Sequence, residues 1–468
     1  MQLLITLIPL IGPLVAVIAI VWISSLNWRL AVKVVFFLVI FEGVLRKWVL
    51  PQASEMIYFF KDIVLLGAYL RYYLGSELKY PFKISGITIA LFMAMIWCTF
   101  QAFNPSLGSV IIGFFGLKAY FFYIPLIWML PALFQSQEEL YQFLRNYLLF
   151  TIPVCFLAVA QFFSPPSSPI NIYAGGHEAN AGFNGFNAVR VTGTFSYISG
   201  YTVYLSACFS LLIPLLTLKQ PRLWRLLTLV EAFLVAGTSF MTGARGLLLF
   251  EILFVVGYVC ILSFTQPTTA KRSAKQLVLP VILISATLPQ FFSKAIEAFS
   301  YRAANSSDSK NFLERALSAF AEPTQAMQFK GFDGYGTGAT HQAVPALRKI
   351  FNLPFGETLP PSEGEMGRVV LETGPLGFLF WYALRLILIF NLWQVFWKLK
   401  SPFLRQLALV AFLFQIINIT GQLIFNHTFA VYYWFFSSFI FLLPELESRQ
   451  LSSYQQYVYT TYFPSSPN

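Results

Sequence analysis

Residues 246–264 read Gly-Leu-Leu-Leu-Phe-Glu-Ile-Leu-Phe-Val-Val-Gly-Tyr-Val-Cys-Ile-Leu-Ser-Phe, with Glu251 as the one charge. A helix needs about 20 predominantly apolar residues to cross the hydrocarbon core of a bilayer. In lipid the backbone must satisfy its own polar groups, which a helix does within one segment. The run shows none of the alternation of a barrel strand. Outward from it, Leu3–Leu26, Gly86–Phe100, Ser109–Phe134, Tyr147–Phe163, Tyr201–Leu218 and Gly374–Phe396 repeat the pattern. The whole chain is 57% hydrophobic and 11% charged, whereas soluble domains carry roughly 25% charged residues. Such a sequence cannot cover a water-facing surface, so its solvent and first partner is the lipid bilayer.

The net charge of +11 is a topology signal, not the footprint of a nucleic-acid binder. Lys and Arg gather at Arg29/Lys33, Arg71/Lys79/Lys83, Lys219/Arg222/Arg225, Lys271/Arg272/Lys275 and Lys398/Lys400/Arg405, alternating with connections poorer in basic residues. Cytoplasmic loops hold the positive excess. The expected fold is all-α, a polytopic bundle of about thirteen transmembrane helices with two long outer loops. The spans are read at 3–26, 30–48, 56–74, 85–101, 109–134, 143–163, 199–218, 223–242, 246–265, 277–292, 373–396, 402–424 and 427–444. The chain then divides into 1–163 (N-terminal helices), 164–198 (first outer loop), 199–292 (central helices), 293–372 (large outer loop), 373–444 (C-terminal helices) and 445–468 (cytoplasmic tail). The first run lacks a basic start and is too long for a cleavable leader, so it reads as an uncleaved anchor. Within the large loop, 311–328 carries apolar positions at helical spacing.

Missing motifs exclude several chemistries. The only aspartates are Asp62, Asp308 and Asp333, and His177, His341 and His427 are scattered without metal-ligand spacing, so neither metal nor cofactor is expected. Gly331–Gly338 is glycine-rich but lacks the Lys-Ser/Thr of a phosphate loop; it reads as a hinge or tight turn.

Polar residues near or inside the membrane are costly and so tend to have a partner or a task. Arg190, in Val189-Arg-Val-Thr-Gly-Thr-Phe195, and Arg245, in Thr242-Gly-Ala-Arg-Gly246, fall on the same outer side, each beside small residues. A guanidinium grips phosphate oxygens in bidentate fashion, and the two together suit a pyrophosphate. The large loop ends in Glu363-Gly-Glu365-Met-Gly-Arg368-Val-Val-Leu-Glu372-Thr-Gly-Pro-Leu-Gly377. If 364–372 is helical, Glu365, Arg368 and Glu372 share a face. Glu365 is the leading candidate base, with Glu363 and His341 as substitutes and Arg368 as a carboxylate or phosphate partner. Gln415, Asn418 and Gln422 form a helical stripe suited to interhelical bonding, and Lys118 and Arg385 lie within expected spans.

These features resemble the O-antigen ligase and O-antigen polymerase superfamily. The carriers are Arg190-Val-Thr-Gly-Thr-Phe, Thr-Gly-Ala-Arg245-Gly with Ala244 in place of the family's Ser, and the long outer loop ending in Glu372-Thr-Gly-Pro-Leu-Gly377. The resemblance implies a metal-independent glycosyltransferase in the inner membrane with its active site facing the periplasm. It implies a partner, an undecaprenyl-pyrophosphate-linked oligosaccharide, and is compatible with a chain-length regulator. Ligases of this family place a histidine shortly before the next membrane helix. Here that stretch holds Glu363 and Glu365, which favours a polymerase of repeat units; a ligase and a lipid-linked oligosaccharide transporter are the other readings.

Overall fold

A computed structural model describes the chain except for residues 1, 76–84, 177, 184, 219, 306–311 and 463–468. Lys79, Lys83, His177, Lys219 and Asp308 therefore lie outside the described residues.

The described residues are helical, joined by loops, with two isolated antiparallel bridges (Ile172 with Ala179, Gly182 with Val189) in the loop that follows Phe163. In chain order the helices are α1 (Gln2–Leu26), α2 (Trp28–Val44), α3 (Ser54–Tyr58), α4 (Phe60–Leu74), α5 (Gly86–Ala102), α6 (Val110–Phe121), α7 (Leu126–Leu133), α8 (Gln137–Leu149) and α9 (Thr151–Phe163). They continue with α10 (Ile198–Thr217), α11 (Arg222–Met241), α12 (Arg245–Thr265), α13 (Pro267–Asn305), α14 (Phe312–Lys330), α15 (Val344–Phe351), α16 (Glu365–Lys398), α17 (Pro402–Ile417) and α18 (His427–Tyr462).

Among the described residues, seven helical stretches are long and apolar enough to cross a membrane: 137–163, 198–217, 222–241, 245–265, 275–304, 365–398 and 427–452. The bent pair α6 and α7 makes an eighth if taken as one span. This is fewer than the sequence reading, for local reasons. The stretch read as 56–74 is broken at Phe59, and α4 restarts with Lys61 and Asp62 in its first turn. Where 30–48 reads as a span, α2 has 17 residues, ends at Val44 and gives way to a π-type turn at Leu45–Val49. Helix α17 stops at Ile417, short of the expected 424. At the other extreme, α13 runs past the expected end at 292 to Asn305, kinking at Phe292 (φ −119°, ψ 20°). The stretch read as a cytoplasmic tail from 445 is also a continuation of α18, to Tyr462.

Aromatic packing holds the bundle together. Helix α18 lies with its head and middle almost wholly inside, and Tyr433, Phe436 and Phe439 have no exposed surface. Phe36 packs edge-on against both Phe143 and Phe435, tying α2, α8 and α18. The opposite faces of the outer helices keep Ile252, Leu253 and Val256 or Leu386 and Phe390 exposed, as lipid-facing surfaces require.

Each intramembrane cation flagged by the sequence has a carboxylate partner: Lys118 with Asp62 at 2.6 Å and Arg385 with Glu365 at 2.9 Å. Arg145 and Glu231 form a third such pair at 3.0 Å. Gln415 acts as interhelical glue, donating to Ser437 Oγ at 2.7 Å.

Candidate functional site

The large loop before α16 is built into the bundle. Gly331, Gly334, Gly336 and Gly338 all have positive φ, a conformation that costs most other residues dearly. Glycine is also needed for space. A Cβ on Gly116 of α6 would lie 2.4 Å from the Thr337 carbonyl oxygen, and one on Gly338 would lie 2.6 Å from Gly116 Cα. Loop and helix thus touch backbone to backbone. Tyr335 and Gly336 donate their N–H groups to the carbonyls of Leu371 and Glu372 at 2.6 and 2.9 Å. The Glu372 carboxylate accepts from Thr340 N at 2.9 Å, Thr340 Oγ1 at 2.8 Å and Tyr120 OH at 2.9 Å. Two residues on, Gly374 (φ 68°) breaks α16 and admits the Phe332 carbonyl, which a Cβ would meet at 2.2 Å. The Glu-Thr-Gly-Pro motif is therefore a seat for the loop, and Glu372 has a bracing role.

The residue presented by that seat is His341. It is 4% exposed and edge-on to Phe115, with ring centroids 4.8 Å apart. Its Nδ1 accepts the Ala343 N–H at 3.1 Å, while Nε2 is buried without a partner. Burial, together with the nearby Lys118 and Arg368 charges, lowers its pKa to about 4, so the ring is neutral at physiological pH.

His341 lines a cavity of about 700 Å³, within the range of ligand pockets. Its opposite wall comes from α2, α3 and the start of α4. There Glu42 is shared by two cations: Lys61, and Arg46 at 3.3 Å. Arg46 also reaches Ser196 Oγ at 3.1 Å, one residue beyond the Arg190–Phe195 motif. Tyr58 stacks on His427, and its hydroxyl is 3.3 Å from His427 Nε2. Lys118 Nζ lies 3.4 Å from His427 Nδ1. Glu55 is exposed and lines the same space, while Met56, Phe59, Leu347, Ile350 and Phe351 supply an apolar side. Along α2 and α4 the cavity residues Glu42 and Lys61 stand at the end opposite the basic Arg29 and Arg71.

The sequence-predicted residues are distributed over three places. His341 alone lines the cavity. Arg190 Nε donates to the Thr242 carbonyl at 2.9 Å, so the two arginine motifs meet at the turn that carries half-buried Arg245. Burial and the neighbouring Arg302 charge lower the Arg190 pKa to about 10. The third place is the head of α16. Glu365 is fully buried, with one oxygen on Arg385 and the other accepting the Ile424 N–H at 2.8 Å. Both oxygens are thus engaged away from the cavity, which does not suit a base. Arg368 does not brace Glu365: it donates to the Ser362 carbonyl at 3.0 Å and lies over Phe425, a cavity residue, at 5.0 Å, with Nη1 buried and unpartnered. Glu363 is exposed at the surface.

No family model, characterised protein or solved structure matches this chain. Its chemistry has to be read from the site itself. No group of three or more His, Cys, Asp or Glu suited to a metal occurs among the described residues. Sequence reasoning missed Glu42, Arg46, Tyr58, Lys61 and His427 as site residues. The signal was present, since four of the five stand within or beside two ionisable clusters at helix ends, where a charge without a partner is expensive.

Proposed function

We propose that the chain is a metal-independent membrane glycosyltransferase that polymerises lipid-pyrophosphate-linked oligosaccharide repeat units on the periplasmic side of the inner membrane. The observation that carries this reading is the cavity: cations and a neutral histidine on a polar wall, an apolar wall beside it, and a position at the ends of α2 and α4 away from Arg29 and Arg71. An amphiphile with an anionic head fits such a space. In the proposed step, the bond between the donor sugar's anomeric carbon and the pyrophosphate oxygen breaks, and a bond to the acceptor hydroxyl oxygen forms. The hydroxyl proton passes to Glu55, and the lipid pyrophosphate leaves with its charge balanced by Arg46 and Lys61. The role of base thereby moves from Glu365 to a carboxylate on the cavity wall.

Arg190 and Arg245 form a second cationic place off that wall. Polymerisation joins two substrates that each carry a lipid pyrophosphate, and two such places suit it better than they suit a ligase. The experiment is incubation of the purified protein in nanodiscs with lipid-linked repeat units and chelator. A ladder of longer glycans is the expected result. Transfer to a second kind of lipid would make it a ligase, and unaltered substrate would remove the enzyme reading. Glu55→Gln should slow the ladder by about 10²-fold or more, the usual contribution of a positioned base.

A further inference from the structure

The proton positions in the cavity follow from the partners. An N–H donor on His341 Nδ1 leaves the single proton of the neutral ring on Nε2, and that donor is buried without an acceptor. Unsatisfied buried donors are rare, and each one asks for an explanation. The same logic applies across the cavity. Lys118 is held by Asp62 at 2.6 Å, and the other Asp62 oxygen takes the Tyr123 hydroxyl. An ammonium so paired has only donors to offer. His427 Nδ1, next to it, must accept, so the His427 proton sits on Nε2 and points at the Tyr58 oxygen. Tyr58 accepts there, which leaves its own proton to donate into the cavity it lines. His341 and Tyr58 thus present donors to the cavity, beside the Arg46 and Lys61 cations.

We propose that this wall is an oxyanion pocket for a phosphate or pyrophosphate group. In it the His341 Nε2–H and the Tyr58 hydroxyl are hydrogen-bond donors, and Lys118 and Asp62 are positioning residues that set the Tyr58 proton through His427. His341 therefore stabilises the departing anion and takes no proton from the acceptor. The activity arm of the test rests on the transferase reading above; the binding arm does not.

Binding of inorganic pyrophosphate and of a short prenyl pyrophosphate to the full chain in nanodiscs is measured by calorimetry. Wild type should bind, with tighter binding of the prenyl form pointing to a lipid headgroup and equal binding to a free phosphate. His341→Ala and Tyr58→Phe should each weaken binding about tenfold, whereas His341→Gln, whose amide returns a donor near Nε2, should stay within about threefold. Lys118→Met should weaken binding clearly less in the Tyr58→Phe background than in wild type, since the part acting through the hydroxyl is already gone there. Turnover should follow the same order, with His341→Gln retaining it. Failure of wild type to bind either ligand overturns the pocket. So does unchanged binding in both His341 variants with turnover abolished in both, the behaviour of a proton acceptor. Binding that depends on His341 without any turnover removes the transferase reading and leaves this inference standing.

Discussion

The Glu365–Arg385 pair gives the sharpest test of what the head of α16 does. Both side chains are fully buried, 2.9 Å apart. Arg385 is further held by the Asn418 carbonyl at 2.8 Å and lies over the Tyr382 and Tyr433 rings. Glu365→Gln keeps the shape and removes the charge, leaving a buried guanidinium without its counter-ion. Breaking such a pair costs roughly 3–5 kcal/mol. Unfolding entropy of about 2.1 cal/mol/K per residue over the 468 residues gives on the order of 1 kcal/mol/K, so Tm should fall by about 3–5 °C. Cys98, Cys155 and Cys208 are buried and Cys260 is exposed, so with Cys260 replaced a thiol-reactive dye reports unfolding in detergent without added labels. Arg385→Met combined with Glu365→Gln should recover much of the loss, because no lone charge remains. A Glu365→Gln protein that melts with wild type yet makes no product would refute the bracing role and restore Glu365 as the base.

Three further outcomes are expected. Gly338→Ala meets both a positive φ and the Gly116 backbone; it should cost at least about 1–2 kcal/mol, read as a lower melting temperature with weakened pyrophosphate binding. The fold holds His341 neutral to about pH 4, whereas the unfolded chain protonates it below about 6.5. Its contribution to stability is therefore full above pH 6.5 and lost as pH falls toward 4, and the melting temperature of His341→Gln should decline less steeply over that window. Single cysteines at exposed Glu178 and Lys275, in a background lacking the native four, should differ toward an impermeant thiol reagent applied from outside. Labelling at 275 but not at 178 would invert the topology.

The central helices were legible because long uniform runs end at clear breaks. Spans read at 199–218, 223–242 and 246–265 emerge as 198–217, 222–241 and 245–265. The region from 30 to 74 was not, because Glu42, Arg46, Lys61 and Asp62 look like surface charges in one dimension and are paired inside the protein in three. His341 stood out as a loop histidine. His427 did not, since nothing in its neighbours announces that α18 delivers it against Tyr58 and Lys118. The pairing of Glu365 was not legible because its partner lies twenty residues along the chain, beyond the break at Gly374, where helical spacing no longer tells which side chains meet.

The contact between Gly116 and Gly338 bears on how a substrate gets in. Where two backbones touch, there is no side chain to rotate aside, so the loop that carries His341 is pinned to α6 as a fixed beam and not a door. The seam that remains runs between α3 and α15, where Met56, Ile350 and Phe351 are exposed and greasy. A lipid-borne molecule of the proposed kind that entered at that seam would meet Arg46 on the same cavity lining as Met56, Ile350 and Phe351. If the proposed polymerisation runs on such a plan, it needs no cycle of closing and opening, and a lengthening product can stay threaded through the side entrance from one addition to the next.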